Sequence, residues 1–327
     1  MSADIAPSAS PADAPAARPA LDTRPAGLPH WRRLRHGDAA GLAAAAAEFA
    51  CVFPPAELGF EEDENFVYLP VTVLVRTNAN GMGGDVVQKT VIFGLGEAVL
   101  VTMEPSEGYA PFDRAGAILK RRPEVPRDNH GIMYALLLAI NSFGDQNIEH
   151  ASVSLEAMNS EIYAVTVGTD EGYELTNSEV GQTLNALNKM EELISRIQES
   201  QLLLERAARY LRLELDRENV DFREQLGVLI SDIGAVKEHA GFEHDKVRYL
   251  QQSVMTSLNA KQNQVAKVFT IIAVVFLPPT LIASIYGMNF EHMPELGWLW
   301  GFPVTIGMTL TAALLPLWYI KKKGWLR

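Results

Sequence analysis

Cysteine is almost absent: Cys51 is the only one among 327 residues. A single thiol forbids an intrachain disulfide and any zinc site built on cysteines, and it fits a reducing compartment. Basic charge is also short, with 28 Lys and Arg against 40 Asp and Glu and a net charge of −12. Nucleic acid needs clustered basic residues, so this balance argues against it and suits a body that meets cations. No glycine-rich loop leads into Lys-Ser or Lys-Thr to cradle a nucleotide, and neither a His-Glu-x-x-His stretch nor a nucleophile elbow is present. ATP-driven work and hydrolysis have no support, so the expectation is a protein that is no enzyme and carries no prosthetic group.

Charge is missing altogether from two runs near the C-terminus. Val268–Tyr286 is 19 residues and Trp298–Ile320 is 23, both uncharged. A helix rising about 1.5 Å per residue needs about 20 residues to cross the roughly 30 Å hydrocarbon core of a bilayer, so each predicts a membrane span. The mean hydropathy of +0.02 averages these runs with a charged, helix-forming middle. At the other end, the first 30 residues are rich in Ala and contain six Pro. They hold no apolar core for a signal peptide and read as a disordered tail. Ala43–Ala47 is too short to span and reads as a helix of a soluble domain.

Between Glu57 and Glu104 β-formers dominate. Phe66–Leu69 leads into Val71–Val75, and Val86–Phe93 and Ala98–Met103 follow. Asn78–Asp85 predicts a hairpin loop and Gly94-Leu95-Gly96 a turn. A short helix is expected around Phe112–Lys120. From His130 glycine and proline thin out, and two long helices carry apolar seams at three- and four-residue steps. Leu187, Met190, Ile194, Ile197, Leu204, Ala208, Leu211 and Leu215 form the first, broken by Gln201. Phe222, Leu226, Leu229, Ile233, Val236, Ala240, Val247, Leu250 and Val254 form the second, broken by Glu243. Arg217–Asp221 predicts the turn between them. An antiparallel coiled coil and ordinary amphipathic core helices both account for the seams. Without a breaker between Phe242 and Leu277, the second helix is expected to continue into the first span and to transmit a change along its length. Pro278 and Pro279 should kink or widen it, with Thr280 and Ser284 near enough to satisfy freed backbone.

Lys261 and Lys267 flank the first span and Lys321–Lys323 follow the second, whereas Gly287–Gly297 contains no Lys or Arg. Positive charge stays inside, so both termini are expected in the cytoplasm and the loop outside. The chain then divides into a tail (1–30), an α/β cytosolic head (31–145), long cytosolic helices including a stalk (146–264) and a transmembrane hairpin (265–327).

Tyr286-Gly287-Met288-Asn289, followed by Met293-Pro294-Glu295-Leu296, resembles the signature of the CorA family of divalent-cation channels. Phe276 to Ser284 is similar to the end of that family's first span, and the basic C-terminal end is similar as well. The close match covers the two spans and their junction; the upstream plan fits more loosely. The resemblance implies an α+β cytosolic head with long helices, followed by a two-helix transmembrane hairpin: a CorA-like funnel assembled as a homopentamer in the inner membrane. It implies import of Mg²⁺, and often Co²⁺ or Ni²⁺. It also implies regulatory Mg²⁺ sites built from carboxylates between cytosolic domains. Glu218, Asp221, Glu224 and Asp232 are among many candidates, and the sequence does not choose.

The residues agree with a pore. Two spans per chain cannot enclose one, so several copies must surround an axis in the lipid bilayer. Asn263, Ala266, Phe269 (or Thr270), Ala273, Leu277, Thr280 and Ser284 share one face, polar at both ends and apolar between. Mg²⁺ releases water reluctantly and favours octahedral oxygen coordination at about 2.0–2.1 Å. A ring of Asn289 amides would serve as its metal contact by accepting hydrogen bonds from the ion's own waters. Gly287 would let the backbone turn and Met288 would pack the selectivity loop. Phe269 and Leu277 would gate by dewetting, and Glu291 and Glu295 would attract cations to the mouth. Glu238, His239, Glu243, His244 and Asp245 form a second cluster that is either a metal site or a solvated helical face. A zinc carrier of the same superfamily and a membrane-anchored sensor or scaffold are the rival functions.

Overall fold

A computed structural model describes residues 28–54, 59–76, 86–167, 177–215, 219–288 and 293–324. The chain divides into two units, Met1–Met158 with Asn185–Val247, and Asn159–Leu184 with Arg248–Arg327.

The first unit holds five strands: β1 (Trp31–Arg35), β2 (Glu61–Glu62), β3 (Phe66–Arg76), β4 (Val86–Gly96) and β5 (Leu100–Glu104). They lie in the order β1-β5-β4-β3-β2, with β1 parallel to β5 and the other pairs antiparallel. Side chains alternate between two buried faces, as the two-residue strand period requires. Leu69, Val71, Val73, Val91, Phe93 and Leu100 meet the large core, while Phe66, Tyr68, Ile92, Val101 and Met103 meet a smaller one with α1 (Ala39–Phe49). The Asp38 carboxylate caps α1, accepting from the Gly41 N–H at 2.9 Å.

β1 is not foreseen from the sequence. Three arginines in five residues hide its alternation, and its register depends on β5, some 70 positions on. Trp31 donates its ring N–H to Thr102 at 3.0 Å. Arg33 makes a two-pronged contact with the buried Glu104, at 2.6 and 2.7 Å, and reaches Asp113 at 2.6 Å. Burial alone would lower the Arg33 pKa; the hydrogen bonds and charges of Glu104 and Asp113 outweigh it and raise it.

Gly94-Leu95-Gly96 is not a turn. It is the end of β4, and the reversal falls at residues 97–99. The glycines answer a packing demand across the strands. Gly94 pairs with Tyr68 and Gly96 with Phe66. A Cβ on Gly96 would stand 2.6 Å from the Phe66 ring, so the ring occupies the space a side chain would take. The hairpin loop expected at Asn78–Asp85 lies outside the described residues.

The helices follow: a 3₁₀ turn (Ala110–Arg114), α2 (Ala115–Arg121), α3 (Asn129–Val167), α4 (Asn177–Glu214), α5 (Val220–Tyr286) and, after a second 3₁₀ turn (Pro294–Gly297), α6 (Gly301–Lys322). In the first unit α3, α4 and α5 join the sheet in one core through Leu136, Leu137, Leu204, Leu211, Phe222, Leu226 and Ile233. All seam residues predicted on α4 and α5 are buried except Met190, which is half-buried. Each fully buried leucine, isoleucine or phenylalanine contributes about 1.5–3 kcal/mol relative to exposure. The two polar interruptions are buried with their neighbours, Gln201 at 0% and Glu243 at 2% exposure.

The second unit contains the apolar helices. The first predicted span lies inside α5. The second starts later than expected: Trp298 to Trp300 form a turn and α6 begins at Gly301. Pro303 fits the first helical turn, where an N–H would have no intrahelical partner.

Candidate functional site

The most apolar stretch of α5 has a mean hydropathy of 2.3 with 0% of it buried, and that of α6 has 1.4 with 6% buried. A core helix of a soluble protein would be covered by its own chain; these are not. In water such helices are unstable, so they require lipid or further copies around them.

Within α5 the expected pore strip lies among neighbours that are mostly exposed as well. Asn263, Ala266, Phe269, Ala273, Leu277, Thr280 and Ser284 are all exposed in the single chain, Phe269 at 69% and Leu277 at 65%. Their average step is slightly below a helical turn, so the strip drifts by about 60° between Asn263 and Ser284. No acidic residue interrupts α5 from Lys261 to Tyr286. The expected strip is amide at one end, hydroxyl at the other and apolar between.

Pro278 and Pro279 sit within the helix, and each removes one backbone donor. Four residues back, these are the donors that Val274 and Val275 carbonyls would have received. The Thr280 hydroxyl does not go to them. It donates to the Phe276 carbonyl at 2.7 Å, as Thr270 donates to Ala266 at 2.8 Å. With its proton held by backbone, the Thr280 oxygen is left as an acceptor.

At the end of α5 the ladder tightens. Gly287 N–H reaches Ala283 O at 2.9 Å, and Met288 N–H reaches Ile285 O at 3.3 Å, a shorter 3₁₀-type step. Gly287 is not among the glycines with positive φ. Its lack of a side chain matters through close approach, since a Cβ there would lie 3.1 Å from the Ala283 carbonyl. Met288 is 47% exposed among the described residues. Asn289 and Glu291 lie outside the described residues, as does the side chain of Glu295.

The acidic and histidine cluster on α5 separates. His239 Nε2 lies 3.7 Å from Glu243, but His244 turns to Glu191 on α4, also at 3.7 Å. Glu243 accepts from the Ser152 hydroxyl at 2.9 Å and is used in helix packing. Among the described residues no three His, Cys, Asp or Glu side chains converge as a metal site. The solvated-face alternative fits better for His239 and His244, and the metal alternative is withdrawn.

One feature of the C-terminal end went unread. Lys322 Nζ lies 5.1 Å from the Trp318 ring centroid and Lys323 Nζ 5.9 Å from that of Tyr319. The four-residue spacing of both pairs on a helix was the available signal.

The family described as CorA-like Mg²⁺ transporter protein matches residues 50–322. The magnesium transport protein CorA of Wolinella succinogenes is 29% identical over 266 residues, covering 81% of this chain and 78% of that protein. The CorA of Haemophilus ducreyi is 32% identical over 237 residues, 72% of each. The complete structure of the CorA magnesium transporter from Methanocaldococcus jannaschii superposes with a TM-score of 0.69 over 90% of each chain, at 15% identity. Full-length CmaX gives 0.57 over 89% of this chain and 87% of its own, at 14% identity. These two likenesses concern the fold: an α+β head, long helices and two apolar C-terminal helices. With a match running over far more than half of its length, the chain belongs to the CorA-like Mg²⁺ transporter family.

Proposed function

We propose that this chain forms a homopentameric channel through which hydrated Mg²⁺, with Co²⁺ and Ni²⁺ as further substrates, enters the cell across the inner membrane. Membership of the family and the relatives named as magnesium transport proteins support Mg²⁺ transport. The observation that carries the channel reading is the strip on α5: apolar at its centre, oxygen-bearing at its ends, and uncovered by its own chain.

The inside-negative potential favours entry by about 2.3 kcal/mol per charge per 100 mV, and twice that for a divalent ion. Asn289 amide oxygens at the outer end accept hydrogen bonds from the ion's waters, so no dehydration is required. Glu291 and Glu295 raise the local cation concentration, an effect that weakens with salt. Thr280 and Ser284 offer further acceptors. The stretch around Leu277, Ala273 and Phe269 closes by excluding water when the copies draw together. Asn263 lies at the inner end. On this proposal residues 31–145 are the cytosolic head, 146–264 the long helices and 265–327 the hairpin, with both termini inside. Cytosolic Mg²⁺ between heads favours the closed state.

The test is growth of a bacterium deficient in Mg²⁺ uptake. The wild-type chain restores growth in low Mg²⁺, and Asn289→Ala reaches the membrane but does not. Equal rescue by both would remove the amide ring from the account and favour a hairpin that only tethers.

A further inference from the structure

The three lysines after the second span serve the transport proposal only as an orientation signal, yet their geometry is specific. The C-terminus of α6 closes with Lys323 N–H on the Tyr319 carbonyl at 3.0 Å and Gly324 N–H on the Lys321 carbonyl at 3.1 Å. Gly324, at φ 74°, takes the left-handed conformation that ends the helix. Lys322 and Lys323 are exposed, yet they do not point straight off this end. Their ammonium groups fold back one turn, 5.1 Å over the Trp318 ring and 5.9 Å over the Tyr319 ring. Helical side chains lean toward the N-terminus, and the ring faces attract the cations.

Tryptophan and tyrosine at the end of a span settle at the depth of the lipid headgroups. The rings therefore hold two positive charges at that depth, on directions about 100° apart around the helix. Trp318 and Tyr319 remain more than half exposed, while Ile320 between them and Lys321 is buried. The charged and aromatic surface thus faces away from the chain. Each ammonium keeps donors for a further acceptor, and the helix end adds partial negative charge that keeps the cations in place.

We infer that this end of α6 is a binding site for the phosphate of anionic phospholipids, with Lys322 and Lys323 as the ligands and Trp318 and Tyr319 as their platforms. A zwitterionic lipid carries its own ammonium group and gains less here. The site would make anionic lipid a structural partner of the second span. The inference rests on α6 being a span.

The test uses the full chain purified in mild detergent with equal parts of phosphatidylglycerol and phosphatidylcholine, the retained lipid being quantified by mass spectrometry. Wild type retains phosphatidylglycerol in excess. Neutralising Lys322→Gln and Lys323→Gln lowers that excess by about fivefold per lysine, whereas Lys322→Arg with Lys323→Arg preserves it. Trp318→Leu with Tyr319→Leu, which keeps both charges, also lowers it. Equal retention of the two lipids by wild type, or no loss in the glutamine variants, overturns the site. Displacement of phosphatidylglycerol by millimolar inorganic phosphate at constant ionic strength overturns the lipid as the ligand. Reconstituted protein that alkali strips from vesicles would instead deny the span itself.

Discussion

At the residue scale, position and partner decide what a side chain can do. Thr280 illustrates it: the same hydroxyl that looks like a patch for proline-damaged backbone donates elsewhere, to Phe276, and is left as an acceptor. Cys51 gives the opposite case. It is 3% exposed, and burial pushes its thiol up to about 11, with the Tyr68 hydroxyl 3.7 Å from the sulfur as a smaller opposing effect. Only the thiolate reacts, so a negligible fraction is reactive at neutral pH. Maleimide labelling at pH 7.5 should therefore be negligible in the folded protein and become complete in denaturant. Rapid labelling of native protein would show that the smaller core opens.

At the scale of elements, buried polar residues in the helix packing differ in meaning. Gln201 has both amide atoms buried without a hydrogen-bond partner among the described residues, and its nitrogen lies 2.2 Å from where a Cβ on Gly144 would be. A buried unsatisfied polar group costs about 1–3 kcal/mol. Gln201→Met keeps the volume and should raise the melting temperature, by about 1 kcal/mol of stability. A lower melting temperature would show that the amide has found a partner. Glu205 is different. It joins α4 to α5 through Lys237 at 2.5 Å and pairs with Arg209. The hydrogen bond from Lys237, with the charges of both bases, holds its carboxyl below the ordinary glutamate range despite desolvation. The folded pKa is lowered, so this stabilisation is whole above the unfolded value of about 4.3 and is lost as pH falls through the folded value. Glu205→Gln should flatten the pH dependence of melting below about pH 4.3 while changing neutral stability by less than about 1 kcal/mol. Identical acid profiles would place the dependence on other carboxylates.

These elements also show what sequence can and cannot report. The seams of α4 and α5 were legible because a helix sets its burial pattern through neighbours three and four residues away. β1 was not, since its place depends on β5 and on the Arg33–Glu104 pair across the sheet. Gly94 and Gly96 misled because local turn preference was read where a cross-strand ring had fixed the choice. His239 and His244 left two alternatives open because spacing along α5 does not reveal that α4 draws one of them away.

At the scale of the whole molecule, the decisive fact is apolar surface left uncovered. Two such helices fit a chain of the CorA-like Mg²⁺ transporter family, and on the proposed function lipid and further copies cover them. The most direct measurement is ion flux through purified protein in vesicles carrying an internal Mg²⁺-sensitive dye and an inside-negative potential. The account predicts uptake that needs no ATP, grows with the potential and is lost in Asn289→Ala. Vesicles that contain the protein yet stay closed to Mg²⁺ at every potential, with and without internal Mg²⁺, would contradict it.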